Sequence, residues 1–173
     1  MWLKLMGSAF VVAAGTCIGF TLAGRYAERP QQIRQLISCL TALKSYVGYV
    51  SMPLPEALVR SAHGVEGPVR EFMEHTAETL KKSGWLSPRE AMASALQKVG
   101  PRLVFHRPES ELCLLLGSNL GFTNREEQQK YLTMVVDELQ KIEQDSIKLR
   151  DQNVKMYRYL GICGGMMIAI LLV

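Results

Sequence analysis

Cysteine and histidine are too few and too scattered in this sequence for most metal-dependent chemistry. The chain has four cysteines and three histidines, and no two cysteines form a C-x-x-C pair. Cys39 and Cys113 stand alone in helical stretches, while Cys17 and Cys163 lie in apolar segments, where a thiol behaves as a small apolar residue. We therefore expect a reducing compartment and no bound metal ion.

The motifs of the common enzyme classes are missing as well. The chain has no phosphate-binding loop, no G-x-G-x-x-G fingerprint, no H-E-x-x-H pair and no G-x-S-x-G elbow. His63, His75 and His106 are isolated, and their spacings do not match a metal-binding pair on one helix face. The sequence thus predicts a protein that is not an enzyme and needs no cofactor.

Charge is absent from both ends of the chain, at residues 5–24 and 159–173. A helix that spans a membrane needs about 20 apolar residues at a rise of 1.5 Å each, which the first segment supplies. The second segment would cover only roughly 22 Å, so its helix must begin near Met156, with Arg158 reaching back to the interface. We predict transmembrane helices at 1–24 and 159–173, flanking a domain at 25–158.

Each apolar segment has an alternative interpretation. Residues 5–24 could be a signal peptide cleaved after Ala23, but the apolar run is long for a signal core and Arg25 follows at once, as in an anchor. The last segment could be a buried helix of a soluble protein. Residues 163–173 are apolar on every face, however, and offer no polar face to water. The pattern favours the membrane in both cases.

Basic residues near the apolar segments indicate the orientation. Residues 25–34 and 148–158 together carry seven basic and two acidic residues, whereas 35–147 carry twelve basic and fourteen acidic ones. The positive-inside rule then places 25–158 in the cytoplasm, with both termini on the opposite side. The excess suits anionic lipid headgroups and not nucleic acid. The predicted lipid contacts are Arg25, Arg29, Arg34, Lys148, Arg150, Lys155 and Arg158.

Helix signals recur through the central domain, and strand signals are almost absent. Proline at 30, 55, 68 and 88 stands where a helix can begin, and Ser87 with Glu90 forms the pattern of a capping box. These signals predict helices at about 30–51, 55–62, 68–84, 88–99 and 109–120, followed by a long one from Asn124. The expected fold is all-α, an antiparallel helical bundle flanked by the two transmembrane helices.

The long helix carries apolar residues spaced alternately by three and four, which is a heptad seam. No glycine or proline interrupts the helix before Gly161, so it is expected to continue from the domain into the membrane. Favourable pairs four residues apart are expected at 126–130, 137–141 and 151–155. The seam consists of Leu132, Val135, Leu139, Ile142, Ser146, Leu149, Asn153 and Met156.

Small residues recur every fourth position in both apolar segments. Such spacing leaves a groove in which a second helix can approach closely, although glycine is common in membrane helices generally. We interpret the two sets as helix-packing surfaces, within the chain or between subunits. They are Gly15, Gly19 and Ala23 in the first segment and Gly161, Gly165 and Ala169 in the second.

A basic stretch lies between Glu90 and Glu109, where no acidic residue occurs. Lys98, Arg102 and Arg107 are its charged members. One interpretation is a solvated loop beside a helix C-terminus, where cations complement the dipole. The other is a docking surface for an acidic partner.

Several short motifs, in order along the whole chain, resemble the stage III sporulation protein AB family of endospore-forming bacteria. That family is in turn similar to the inner-membrane platform proteins of type II secretion and type IV pilus machines. The motifs are Arg25-Tyr26-x-Glu28-Arg29-Pro30-x-Gln32-Ile33-Arg34, Pro53-Leu54-x-Glu56-Ala57, Leu116-Gly117-x-x-Leu120-Gly121, Arg125-x-x-Gln128 and Lys155-Met156-Tyr157-Arg158-x-Leu160-Gly161.

The resemblance implies a non-enzymatic scaffold of the secretion-like channel between mother cell and forespore, in the mother-cell membrane that faces the forespore. Its expected partners are a cytoplasmic secretion-type ATPase, other channel proteins, membrane lipid and further copies of itself, with no small-molecule substrate. The platform proteins carry two such helical domains and this chain carries one, so a platform role requires oligomers or other membrane proteins. The alternative is a membrane-tethered coiled-coil adaptor outside any secretion system.

The predicted orientation can be tested by thiol labelling. Cysteines introduced beside Lys4 and at the C-terminus should react with a membrane-impermeant reagent added outside, whereas Cys39 and Cys113 should not. A cysteine at position 98 is the informative control. If that cysteine were labelled from outside, the orientation would be reversed.

Overall fold

The computed structural model describes residues 28–121 and 124–172, with side chains in the last helix as far as Gln152 and at Met156. The described residues contain no strand, which confirms the all-α prediction. Two short 3-10 turns, Ala62–Gly64 and Gly100–Arg102, follow the second and fourth helices. We number the helices α1 (residues 28–48), α2 (Leu54–Ser61), α3 (Pro68–Lys82), α4 (Pro88–Val99), α5 (Arg107–Asn119) and α6 (Arg125–Leu172).

The chain divides into two compact units. One unit comprises Met1–Pro30 with Gln144–Val173, and the other, which we call the bundle, comprises Gln31–Glu143. Within the described part of the chain, no helix is both long and apolar enough to cross a bilayer. Residues 1–24 lie outside the described residues, and the side chains at 159–173 are not described. The two transmembrane segments therefore stay predictions.

The start of α4 shows how local sequence sets a helix boundary. The Ser87 hydroxyl accepts a hydrogen bond from the Glu90 amide at 3.3 Å, and the Glu90 carboxylate accepts one from the Ser87 amide at 2.9 Å. The two reciprocal bonds satisfy two backbone N–H groups that have no partner inside the helix. Hydrogen bonds that the Ser87 amide and hydroxyl donate to the Glu90 carboxylate lower the pKa of Glu90. The predicted capping box is thereby confirmed.

Helix α5 begins two residues earlier than its predicted start at Glu109. Pro108 is accommodated in the first turn, where its missing N–H removes no helical hydrogen bond. The Glu109 carboxylate accepts a hydrogen bond from the His106 amide at 3.0 Å, and this bond ties the carboxylate to the residue that precedes the helix. Glu109 is nevertheless fully buried.

Side-chain contacts establish that α1 and α6 are antiparallel. At one end of the bundle Arg34 on α1 pairs with Glu143 on α6, with 2.7 Å between Nε and Oε1. At the other end Arg125 on α6 donates to the Ser51 hydroxyl, just after α1, at 2.6 Å. We call the first the near end, because the chain enters and leaves the bundle there, and the second the far end.

Helices α3 and α4 share these two ends. Arg102, in the turn after α4, pairs with Glu71 in the first turn of α3, and the Gln32 side chain on α1 accepts a hydrogen bond from the Val104 amide at 2.8 Å. The turn after α4 therefore lies at the near end. The loop between α3 and α4, residues 83–87, lies at the far end.

A single hydrophobic core joins all the bundle helices. The α6 seam is confirmed in its first half, since Leu132, Val135 and Leu139 are fully buried and Ile142 packs against the core. The largest fully buried side chains of the other helices are Ile33, Leu36, Leu40 and Leu43 on α1, Leu58 on α2, Phe72 and Met73 on α3, Met92 on α4 and Leu116 on α5.

The seam is only partly buried beyond Glu143, where the bundle ends. Ser146 is buried, whereas Leu149 is 50% exposed and Met156 is 46% exposed. The Lys141 ammonium forms its ion pair with Glu138, three residues before it, at 2.9 Å, and the predicted partner Asp137 also interacts favourably with the Lys141 charge.

Gly117 allows α4 and α5 to pack unusually closely. A Cβ atom at this position would lie 2.8 Å from the Arg89 Cα and 3.0 Å from its amide nitrogen, and backbone atoms cannot yield as a flexible side chain can. Gly117→Ala should therefore separate the two helices and lower the free energy of unfolding by about 1–3 kcal/mol.

Gly64→Ala provides the control for this variant, because a Cβ atom at position 64 meets nothing within 4 Å. Urea unfolding followed by circular dichroism measures both variants. Equal stability of the two would contradict the close contact between α4 and α5.

Candidate interaction surfaces

The described residues offer no site for metal or thiol chemistry. Among them, no group of three or more His, Cys, Asp or Glu side chains could hold a metal ion. Cys39 and Cys113 are buried, and burial raises the pKa of each thiol to about 12. A thiol that stays protonated at neutral pH is a poor nucleophile. Interaction surfaces are therefore the candidates for function.

The basic stretch does not form one free cationic surface. The Arg102 guanidinium binds the Glu71 carboxylate through two hydrogen bonds, and the Lys98 ammonium lies 3.4 Å from the His75 imidazole. Both contacts are made to α3. Burial, and next the Lys98 charge, lower the pKa of His75. Arg107 is exposed on the first turn of α5. Docking of an acidic partner at these three residues stays a prediction.

Gln32 connects α1 to the segment between α4 and α5. Its carboxamide oxygen accepts from the Val104 amide at 2.8 Å, and its nitrogen donates to the Arg102 carbonyl at 3.4 Å. The Gln32 side chain is buried, and both hydrogen bonds are partly shielded from water. This clamp holds the basic stretch at the near end.

Three of the predicted lipid-contact residues carry local ion pairs. Besides Arg34 with Glu143, Lys148 binds Asp145 at 3.1 Å and Arg150 binds Asp151 at 2.8 Å. These cations are exposed, and exposed pairs contribute little energy that would hold them in place. Arg29 also has an interaction in the structure. Arg25 lies outside the described residues, as do the side chains of Lys155 and Arg158.

The small-residue pattern is described only in part. Helix α6 continues to Leu172, so Gly161, Gly165 and Ala169 lie on one continuous helix, where a spacing of four places them on one face. Gly15, Gly19 and Ala23 lie outside the described residues. Their role in helix packing stays a prediction.

The main surface that the sequence did not reveal is a groove between α1 and α6. It has a volume of about 730 Å³, and Met134 and Tyr49 supply its apolar surface. Met134 is 45% exposed and also lines a second groove towards α5, so it forms a ridge between the two. The polar lining of the α1–α6 groove consists of Lys44, Glu126, Gln129, Lys130, Thr133, Asp137, Glu138 and Lys141.

Large apolar side chains are also exposed on the loops at the far end. Trp85, between α3 and α4, is 84% exposed, and Tyr49, just after α1, is 82% exposed, with Val50 beside it. The helical spacing of apolar residues predicts that Tyr49 and Val50 belong to the first helix, and this is wrong, because α1 ends at residue 48 and both side chains are exposed. Trp85 stands in the predicted connection between α3 and α4.

Fold and sequence together define an all-helical protein, a bundle set between two apolar segments of sequence. A family model described as stage III sporulation protein AB matches residues 4–173. The chain belongs to the stage III sporulation protein AB family, and its role is accordingly in sporulation.

Two relatives support the assignment. The stage III sporulation protein AB of Bacillus subtilis (strain 168) is 34% identical over 170 residues, which cover 98% of this chain and 99% of the relative. A solved structure of a stage III sporulation protein AB is 30% identical, has a TM-score of 0.67, and is matched over 72% of this chain and 98% of its own. The helical fold is thus shared with an established structure.

The Gln32 clamp can be tested against its neighbour in the sequence. Gln32→Ala should lower the free energy of unfolding by about 1 kcal/mol, because two part-buried backbone groups lose their partner. Gln31→Ala, at an exposed position on the same helix turn, should change it by less than about 0.5 kcal/mol. Hydrogen exchange at the Val104 amide should become faster only in Gln32→Ala. Unchanged exchange there would show that the clamp is not formed in solution.

Proposed function

We propose that this protein is a non-enzymatic scaffold of the secretion-like channel complex between mother cell and forespore, anchored twice in the mother-cell membrane. The observation that carries the proposal is the extent of the family match. It covers residues 4–173 and so includes both apolar segments together with the bundle. A bundle whose described residues lack a metal-binding cluster and an ionisable thiol suits a structural role.

The architecture of the bundle supports two anchors in one membrane. Gln31 and Glu143, its first and last residues, lie at the same end, since Arg34 pairs with Glu143. Both apolar segments are thus joined to the bundle at its near end. A chain that enters and leaves one membrane twice, with its main domain on one side, requires this arrangement. The juxtamembrane cations then face anionic headgroups.

The far end and the flanks of the bundle remain for protein partners in the cytoplasm. The exposed aromatic side chains there belong to the residue types that contribute most to protein interfaces. We assign this part of the molecule to contacts with the secretion-type ATPase and with other channel proteins.

The rival interpretation was a coiled-coil adaptor that dimerises through the heptad seam. Leu132, Val135 and Leu139, which would form such a dimer interface, are fully buried within the bundle. A second chain could reach them only if the bundle opened, with loss of core packing. The burial of the seam therefore favours the scaffold.

Affinity capture from sporulating cells tests the proposal. The full chain should copurify with a cytoplasmic ATPase and with other membrane proteins of the channel. Gly19→Leu and Gly165→Leu should still insert, because leucine favours the bilayer, but they should lose the membrane partners, since a larger side chain prevents close helix packing. Both variants should keep the ATPase. The scaffold role would be refuted if the wild-type chain, present at normal abundance, captured neither the ATPase nor the membrane proteins.

A further inference from the structure

We propose that the first apolar segment, residues 5–24, packs lengthwise on α6 of its own chain, so that the two apolar segments form an antiparallel helical hairpin. Residues 5–24 lie outside the described residues. Their position is inferred from a covered face of α6 and from the point where the chain enters α1. The hairpin rests on the two membrane anchors of the proposed function and adds what each anchor packs against.

One face of α6 is covered where the helix continues beyond the bundle. Ser146 is only 4% exposed, and Ile147 and Arg150 are partly exposed, whereas residues 148–149 and 151–152 are exposed. Positions three and four residues apart lie on one face of a helix. A helix that stands alone is exposed on every side, so another part of the molecule covers the face of Ser146, Ile147 and Arg150.

The first thirty residues supply this cover. Ser146 belongs to the compact unit that consists of Met1–Pro30 and Gln144–Val173, so Met1–Pro30 is the second stretch of chain in that unit. Among its described residues, Pro30 is buried although it stands in the first turn of α1. Pro30 lies about one turn before Arg34, and Ser146 lies about one turn beyond Glu143, the partner of Arg34. The two buried residues are therefore at about the same level.

Counting residues along both helices gives the register of the hairpin. Thr16 stands fourteen residues before Pro30, and Gly161 stands fifteen residues after Ser146. In a helix either length is about four turns, or roughly 21–23 Å, and both lead away from the bundle. Thr16 is then level with Gly161. Residues 25–27 change this level by about one turn at most, since three extended residues gain only about 5 Å over helical ones.

Gly161 also lies on the covered face of α6. It follows Arg150 by eleven residues, which is about three full turns of one continuous helix. Because glycine has no side chain, a neighbouring helix can approach its backbone closely, and close packing is what holds helices together in lipid. The Thr16 hydroxyl would find hydrogen-bond acceptors at such a contact, which hydrocarbon does not offer.

Chain connectivity favours the segment of the same chain over that of a second copy. The pairing of Arg34 with Glu143 holds the beginning of α1 beside α6 at the near end of the bundle. The first apolar segment is attached there through residues 25–27 alone. This short connection gives it a high effective concentration at α6, so its packing needs no encounter between two molecules.

The opposite side of α6 stays uncovered in this arrangement. Leu149 is 50% exposed and Met156 is 46% exposed. They stand seven residues apart, which is about two turns, so both lie on one face. Leu149 is turned by about 200° from Ile147 on the covered side. The face of Leu149 and Met156 therefore remains accessible to the other channel proteins of the proposed function.

Disulfide crosslinking within one chain tests the hairpin on the full-length protein in membranes. The chain carries Thr16→Cys and Gly161→Cys, with Cys17 and Cys163 replaced by alanine. A protease site is inserted after Gly64, which is exposed and has nothing within 4 Å of an added Cβ atom. After mild oxidation and cleavage, we expect the two halves of most molecules to stay joined until a reductant is added.

The native cysteine at position 163 provides the matched control. Cys163 stands two residues beyond Gly161, so it is turned by about 200° to the other side of α6. Thr16→Cys combined with Cys163, in a chain that keeps Gly161 and has alanine at position 17, should leave at least tenfold fewer halves joined. A second pair one turn further out, Val12→Cys with Gly165→Cys, should again join the halves.

Two results would overturn the hairpin. One is that neither pair joins the halves above the Cys163 control, while the helical circular dichroism of every variant is normal. The other appears on coexpression with a differently tagged chain: disulfides that form mainly between the two tags would show that a second copy covers α6. Thiol labelling of the termini and capture of the ATPase are measured separately. If both are normal while the crosslinks fail, the hairpin is wrong and the scaffold role stands.

Discussion

Burial of the apolar stripe on α6 is the constraint on which the rest of the bundle depends. Leu132, Val135 and Leu139 are fully buried, and the core that encloses them includes residues from every helix of the bundle. Each such side chain contributes roughly 1.5–3 kcal/mol when removed from water. Because α1 runs antiparallel to α6, this packing also brings Gln31 and Glu143 to one end. Burial of the apolar side chains of α6 thereby determines where the chain leaves the bundle.

Polar contacts then define the near end in detail. The segment after α4 is held in part by Leu103, which is buried in the core, and by Phe105, which packs against it. Gln32 satisfies two backbone groups of that segment, and Arg102 pairs with Glu71 on α3. The Gln32 contacts are part-buried and cost free energy when one partner is removed, whereas the exposed ion pair is worth little. The clamp therefore does more than the salt bridge to hold this end.

Sequence signals predicted the elements of the fold but not the contacts between them. The capping box at Ser87 and the prolines that open α2, α3 and α4 act within one turn, so a single chain segment reveals them. The pairing of Arg102 with Glu71 joins residues far apart in sequence, and no local sequence pattern predicts it. The same limit explains the seam: its spacing continues through Leu149, but the Leu149 side chain is exposed. Of the candidate surfaces, the basic stretch was visible as a run of charge, whereas the α1–α6 groove exists only once two distant helices are packed together.

The two ends of the bundle differ in a way that bears on its role. At the near end the arginines at 34 and 102 are paired with carboxylates. On the far-end loops Trp85, Tyr49 and Val50 are exposed to solvent. Exposed aromatic side chains contribute nothing to the core of their own chain, and their burial against another molecule would be favourable. In the proposed arrangement with two anchors, only the far end and flanks of the bundle would face other proteins, and exposed apolar side chains such as Trp85 and Met134 lie there. The distribution of apolar surface thus agrees with a protein that acts by assembling with others.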